Sequence, residues 1–240
     1  GAPLTVVYRR DGVQHTAALT PVQDEKGRYK AGVWVRDSGA GIGTMSFVDA
    51  QHGTFAGLGH SISDTDTGTE LTLLSGEIVP VTITGCIRGA AGSPGELRGE
   101  FAAAPAGTVL ANDAAGVYGS YTGSCTAPAL PVANLQEVTP GEAELWTTVL
   151  GTTAQPYTIQ VERVTMTGSD PNRNLLIRVT DKRLLDATGG VVQGMSGSPI
   201  VQNGRLAAVL THVLVNDPSR GYAIFATTML EKADAVASSK

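Results

Sequence analysis

Apolar and polar residues alternate along most of the chain in short runs bounded by glycine, asparagine, aspartate or proline. This pattern confines the fold to one built of β-strands, because successive strand side chains point to opposite faces and alternation wets one face while burying the other. The first half carries it in "LTVVYRR" (4–10), "HTAAL" (15–19), "AGVWVRD" (31–37), "GTMSFVD" (43–49), "GTFAGLG" (53–59), "EIVPVTITGCI" (77–87), "TVLAN" (108–112) and "GVYGSY" (116–121). After the loop-like "CTAPALPVAN" (125–134), the second half continues with "AELWTTVL" (143–150), "PYTIQVERV" (156–164), "NLLIRVTD" (174–181), "GSPIVQN" (197–203), "RLAAVLTHVLV" (205–215) and "GYAIFA" (221–226). "RDG" at 10–12 and "QNGR" at 202–205 read as hairpin turns. "GAAGSPGELRGE" (89–100) reads as a mobile surface loop or a cleavage site.

Helical signals are few. "DKRLLDATGG" (181–190) reads as one or two turns with Asp181 as N-cap and a glycine stop, and "TTMLEKADAVA" (227–237) has helical spacing of its apolar residues. About fifteen short strands and a terminal helix in a chain of this length predict an all-β fold of two packed β-barrels, with a seam near residues 125–143. The predicted first barrel covers about 29–130, the second about 140–226, and the helix about 227–237.

Composition agrees with that architecture and narrows the partners. Gly 30 and Pro 12 supply turns, and charged residues make up 16% against roughly 25% in an average domain. A net charge of -5 disfavours nucleic acid and anionic membranes as partners. No apolar run reaches the roughly 20 residues of a membrane span, so no direct membrane insertion is expected of this chain. "GAPLTVV" begins abruptly in a strand-like pattern, as a piece of a longer precursor would. Two cysteines, Cys86 and Cys125, permit at most one disulfide and make no metal-ligand cluster; two unbridged thiols are the simpler reading. No metal or cofactor is expected.

The chemistry concentrates in "GGVVQGMSGSPIVQNG" (189–204), where Ser196 sits in a bend with small neighbours before the strand pattern resumes. A serine hydroxyl needs a base to become a nucleophile, and the base needs orientation by a third group. Of four histidines, His15 and His52 read as surface residues, and His212 as a strand residue in "AAVLTHVLV". His60, in "FAGLGHSISD", follows a strand in a glycine-flanked bend from which a side chain can reach a cleft. Asp181 closes a strand shortly before the serine and competes with Asp186, Asp64 and Asp66 for the acid role; its local pattern fits a helix cap better. The N–H groups of Gly194 and Ser196 can converge as an oxyanion hole if the bend is tight.

Two further signals carry less. "GAGIGT" (39–44) precedes a strand rather than a helix and reads as a flexible turn, not a phosphate loop. "DTDTG" (64–68) lacks the ligands of a calcium loop and reads as a hydrogen-bonded turn beside His60.

Taken together, "AGIGTMSFVD", "GLGHSISDTDTG", "GVVQGMSGSPIVQNG" and "LTHVLVNDPSRGYAIF" resemble the SpoIVB peptidase family of sporulation serine peptidases, from about Val33 to Leu230. The resemblance implies a chymotrypsin-like double β-barrel and a serine endopeptidase acting through an acyl-enzyme. It also implies a triad in chain order His, Asp, Ser, which falls on His60, Asp181 and Ser196. Met195 stands where trypsin-like enzymes carry an aspartate, so activation by an ion pair to a new N-terminus is unavailable to this chain. Family members carry a membrane anchor and a PDZ domain ahead of the peptidase; residues 1–28 are similar to the last strands of such a PDZ domain, leaving 29–240 as the peptidase. The implied role is sporulation signalling: self-cleavage and cutting of a membrane-bound regulator, in the space between forespore and mother-cell membranes. Thr211, His212 and Val213, in an expected edge strand, are candidates for pairing with substrate backbone. The rival reading is a non-catalytic protease-like module that binds peptides or a membrane complex; an esterase would need alternating strands and helices around its serine elbow.

Overall fold

A computed structural model describes residues 1–10, 12–33, 39–64, 66–168 and 170–238. The expected strand at 31–37 and the turn at 10–12 fall partly outside these residues. The chain separates into two compact units, Gly1–Ala40 and Gly41–Lys240.

The smaller unit holds the hairpin of β1 (Leu4–Arg10) and β2 (Val13–Leu19), and a short pair, β3 (Val22–Gln23) with β4 (Tyr29–Lys30). Its alternation finds no core: Leu4, Val7, Val13, Val22 and Tyr29 are all exposed.

The larger unit is mostly β and built in two halves. The first contains β5 (Met45–Asp49), β6 (Thr54–Gly57), β7 (Glu77–Ile78), β8 (Val81–Ile87), β9 (Glu96–Phe101), β10 (Gly107–Asp113) and β11 (Gly116–Tyr121). Five of these form an open sheet of order β5-β6-β11-β10-β7, while β8 and β9 make a separate hairpin. The second half contains β12 (Gly141–Thr147), β13 (Gln155–Val164), β14 (Leu175–Val179), β15 (Pro199–Gln202), β16 (Arg205–Val213) and β17 (Arg220–Phe225). These close into a six-stranded barrel of order β12-β13-β14-β17-β16-β15. The two-barrel architecture therefore holds, with one barrel closed and the other open.

Three expectations change. The segment expected as a loop at 89–100 contains the start of β9, whose hairpin partner is β8. Its strand character is masked by the preceding glycines and by charged, outward-facing Glu96, Arg98 and Glu100. β16, expected at an edge, is flanked on both sides only in its first part, where Arg205–Val209 pair with β15; β17 pairs along its other side. It also ends at Val213, short of residue 215.

Period-two burial assembles the barrel interior. Tyr157, Ile159 and Val161 of β13 face Leu175, Ile177 and Val179 of β14, and Leu145, Ile200, Leu210 and Met195 complete the cluster. Fully burying each Leu or Ile stabilises the fold by roughly 1.5–3 kcal/mol. The Asn203–Gly204 turn between β15 and β16 has φ of 52° and 71°, as a tight two-residue hairpin requires.

Two helices match expectation. α1 (Lys182–Thr188) starts at an Asp181 cap and stops at Gly189, which adopts φ 79°. α2 (Ala226–Ser238) buries Ala226, Met229 and Ala233, one stripe of the helix, against Ala56, Tyr118, Val209 and Ile224. Cys86 and Cys125 are free thiols.

Candidate active site

β6 delivers His60 through an unusual bend. Gly59 N–H donates to the carbonyl of Gly57 at 2.8 Å, closing a γ-turn at Leu58, whose φ is 67°. Positive φ at a leucine is strained, and such strain persists where surrounding structure over-determines it. Gly59 follows at φ 71°, and a Cβ there would lie 2.9 Å from the Thr211 side chain, so only glycine lets the turn press against β16. The loop beyond His60 is moored by Asn112 of β10. Its side chain accepts from Ile62 N–H at 2.7 Å and donates to the carbonyls of Ile62 and Leu71 at 3.1 and 2.9 Å. Within that loop Asp64 Oδ1 accepts from Asp66 N–H and Thr67 N–H, the hydrogen-bonded turn expected of "DTDTG".

The serine bend comes from the second half and is gripped by the first. Met195 is fully buried in the barrel core, so the bend is pinned by an apolar plug where an ion pair is impossible. Thr44, just before β5, donates its N–H to the Ser196 carbonyl at 2.8 Å and its hydroxyl to the Gly194 carbonyl at 3.2 Å. Gly197, at φ 97°, lies so close that an added Cβ would meet the Thr44 carbonyl at 1.9 Å and Leu58 N at 2.7 Å. Leu97 of β9 reinforces the grip, donating to the Gln193 carbonyl at 2.8 Å. "GAGIGT" thus ends in a residue that clamps the Ser196 bend, a role its composition does not announce.

Ser196 and His60 each border the end of β16. Ser196 Oγ donates to the Thr211 carbonyl at 2.7 Å, and the ring of the next residue, His212, stands 4.8 Å from the ring of His60, tilted by 34°. No hydrogen bond joins Ser196 to His60 among the described residues. His60 Nδ1 lies 2.8 Å from the Ser61 carbonyl. A carbonyl only accepts, so Nδ1 carries the proton and Nε2 keeps its lone pair. Burial pushes the His60 pKa down, with the Ser61 carbonyl opposing it weakly, so the imidazole is neutral at neutral pH. His212 is pushed down to about 4 by the protein packed around its inner face, then by His60 and Arg173. Its outer face is open to solvent.

Gly194, at φ 95°, turns its peptide toward the bend, and neither its N–H nor that of Ser196 has a protein acceptor among the described residues. Thr211 is buried, its one hydroxyl proton within reach of two carbonyls, Asn172 at 2.6 Å and Tyr222 at 3.0 Å. Pairing of β15 with β16 stops at Val209, and on that side Leu210 exchanges hydrogen bonds with Gly197 and Ser198 of the serine loop. Beyond it, among the described residues, no strand pairs with Thr211, His212 and Val213 on the side away from β17.

Asp181 does not join this group. His212, Tyr222 and Leu176 share one row across β16, β17 and β14. Asp181 lies past the far end of β14, on the order of 15 Å along the strand at about 3.3 Å per residue. Its carboxylate is filled where it stands: it accepts from the N–H groups of Arg183 and Thr158 and pairs with the Arg183 guanidinium at 2.7 Å. These contacts, Arg183 foremost, hold its pKa at about 2. In this structure Asp181 caps α1, and the contact at His60 Nδ1 is the Ser61 carbonyl. Asp186 pairs with Lys182, and Asp170 pairs with Arg173.

The SpoIVB peptidase S55 family model matches residues 27–230. Among solved structures, the active form of the Rv3671c protease from M. tuberculosis is 16% identical, covering 85% of this chain and 93% of that chain at a TM-score of 0.40. An inactive mutant form from M. tuberculosis H37Rv is 17% identical, covering 67% and 80% at a TM-score of 0.40. No curated protein matches the chain. Membership rests on the family match, which spans most of the sequence. The chain belongs to the SpoIVB peptidase S55 family and is a serine peptidase.

Proposed function

We propose that the protein is an endopeptidase in which Ser196 is the nucleophile, His60 the general base, and the N–H groups of Gly194 and Ser196 the oxyanion hole. The observation that carries this reading is the meeting of the two loops: the γ-turn before His60 packs on the serine bend and on Thr211, whose carbonyl holds the Ser196 hydroxyl. Substrate backbone pairs along the open side of Thr211, His212 and Val213. The Ser196 hydroxyl then turns from the Thr211 carbonyl toward His60 Nε2, which takes its proton as Oγ bonds to the substrate carbonyl carbon. Negative charge on the carbonyl oxygen is met by the two free N–H groups. Collapse breaks the C–N bond, the leaving amine takes the proton from His60, and water hydrolyses the acyl-enzyme by the same base. The Ser61 carbonyl fixes the tautomer throughout, the task a carboxylate performs in a triad.

The physiological substrate we propose is a membrane-bound sporulation regulator, together with the enzyme's own precursor. The site of action is the space between forespore and mother-cell membranes, with the longer protein anchored through its N-terminus and residues 1–28 as a PDZ remnant. The test is expression of the full-length precursor with Ser196→Ala: the variant folds, accumulates uncut and leaves a co-expressed regulator intact. Normal cutting by the variant overturns the assignment of Ser196.

A further inference from the structure

Away from the peptidase centre, the turn between β5 and β6 meets α2 in a group the proteolytic chemistry does not use. The ligand atoms of Asp49, His52 and Asp234 all lie within 4.8 Å of one another. His52 Nδ1 contacts Asp49 Oδ2, while Asp49 Oδ1 accepts from the Gln51 and His52 N–H groups and fixes the turn. A second observation points inward from the same place. Thr54 is directly opposite Asp49 across the β5–β6 ladder, so their side chains share a face. Phe47 and Ala56, one alternation further along, pack under α2, which makes it the face that α2 covers. Thr54 is 1% exposed, yet its hydroxyl has no hydrogen-bond partner. A buried hydroxyl left unpaired costs stability, and this one belongs to the residue directly across the ladder from Asp49, on the same face.

We propose that Asp49, His52 and Asp234 form a binding site for a divalent transition-metal cation of the zinc type, with a metal-bound water held by the Thr54 hydroxyl. An imidazole nitrogen with two carboxylate oxygens favours such a cation over magnesium or calcium, which prefer all-oxygen shells. Ligand distances near 2.1 Å place tetrahedral ligand atoms about 3.4 Å apart, so the Asp234 carboxylate closes in by an ångström or so while the touching His52 and Asp49 atoms part to that spacing. Exposed Asp234 and His52 have the rotamer freedom to do this. On binding, the cation replaces the hydrogen between His52 and Asp49, and the water supplies the partner Thr54 lacks. The site pins α2 to β6, the strand that runs into the His60 turn.

The experiment titrates zinc chloride into chelator-stripped full chain by calorimetry, with thermal unfolding in parallel. The expected result is one equivalent bound and a raised unfolding midpoint. His52→Ala and Asp234→Asn should each weaken binding at least about tenfold, while His15→Ala, an exposed histidine elsewhere, leaves it unchanged. The altered side chains are exposed, so the variants fold. Absence of saturable binding, binding that survives in the His52→Ala/Asp234→Asn double variant, or a response to calcium without one to zinc overturns the proposal.

Discussion

Replacing Asp181 by asparagine separates a capping residue from a catalytic acid. Asparagine caps a helix about as well as aspartate, and its side-chain oxygen can still accept from Arg183 N–H. What disappears is the charge facing a largely solvent-exposed guanidinium, a contact of small worth. Asp181→Asn should therefore keep kcat/KM within about threefold of wild type, where asparagine in place of a triad acid costs about 10⁴-fold. Asp181→Ala loses the cap as well, for about 1 kcal/mol, or roughly 2–4 °C in the unfolding midpoint of a chain this size. The pH dependence follows from the depressed carboxyl. Its folded pKa of about 2 lies below the ordinary 3.8, so its contribution to stability is complete above about pH 4 and fades as pH falls toward 2. Asp181→Asn removes that part of the acid sensitivity. The assay pairs peptide cleavage with urea unfolding on the same preparations. A loss of 10³-fold or more in kcat/KM with unchanged stability would refute the reasoning and return Asp181 to the active site.

Other predictions follow from the same geometry. Burial lowers the His60 pKa, so the acid limb of the kcat/KM profile should fall below the ordinary imidazole value of 6.5; an inflection above 7 contradicts a neutral, carbonyl-bound imidazole. By the same sign, the stability contribution of His60 is complete above 6.5 and declines as pH falls through its lowered pKa. Gly197→Ala places a Cβ against two backbone atoms at φ 97°, and should cost at least about 2 kcal/mol by chemical denaturation and abolish turnover. Met195→Ala empties the plug beneath the serine and should cost about 2–5 kcal/mol; a loss under 1 kcal/mol would show that the bend is held without it.

What the sequence revealed, and what it hid, tracks the range of the interactions involved. Strands whose one face enters a core, such as β14 with Leu175, Ile177 and Val179 inward, announce themselves by alternation. Both helices carry their stop signals or apolar stripe locally. β9 escaped because it has few apolar side chains and owes its order to β8 and to Gln193, far along the chain. β16 read as an edge because nothing local tells a strand how many neighbours it has. Ser196 and His60 stood out through their glycine-flanked bends. Thr44 and Asn112, which position those bends, act through hydrogen bonds across 150 and 50 residues and leave no local mark. For Asp181 the local cap pattern describes the contact that its side chain makes with Arg183 N–H in this structure.

The most direct test of the account is covalent labelling of the intact protein with a fluorophosphonate, read by mass spectrometry. The geometry predicts a single adduct on Ser196, absent in Ser196→Ala, slowed strongly in His60→Ala and preserved in Asp181→Asn. A folded wild-type chain that stays unlabelled, or that is labelled equally fast without the His60 imidazole, would contradict it.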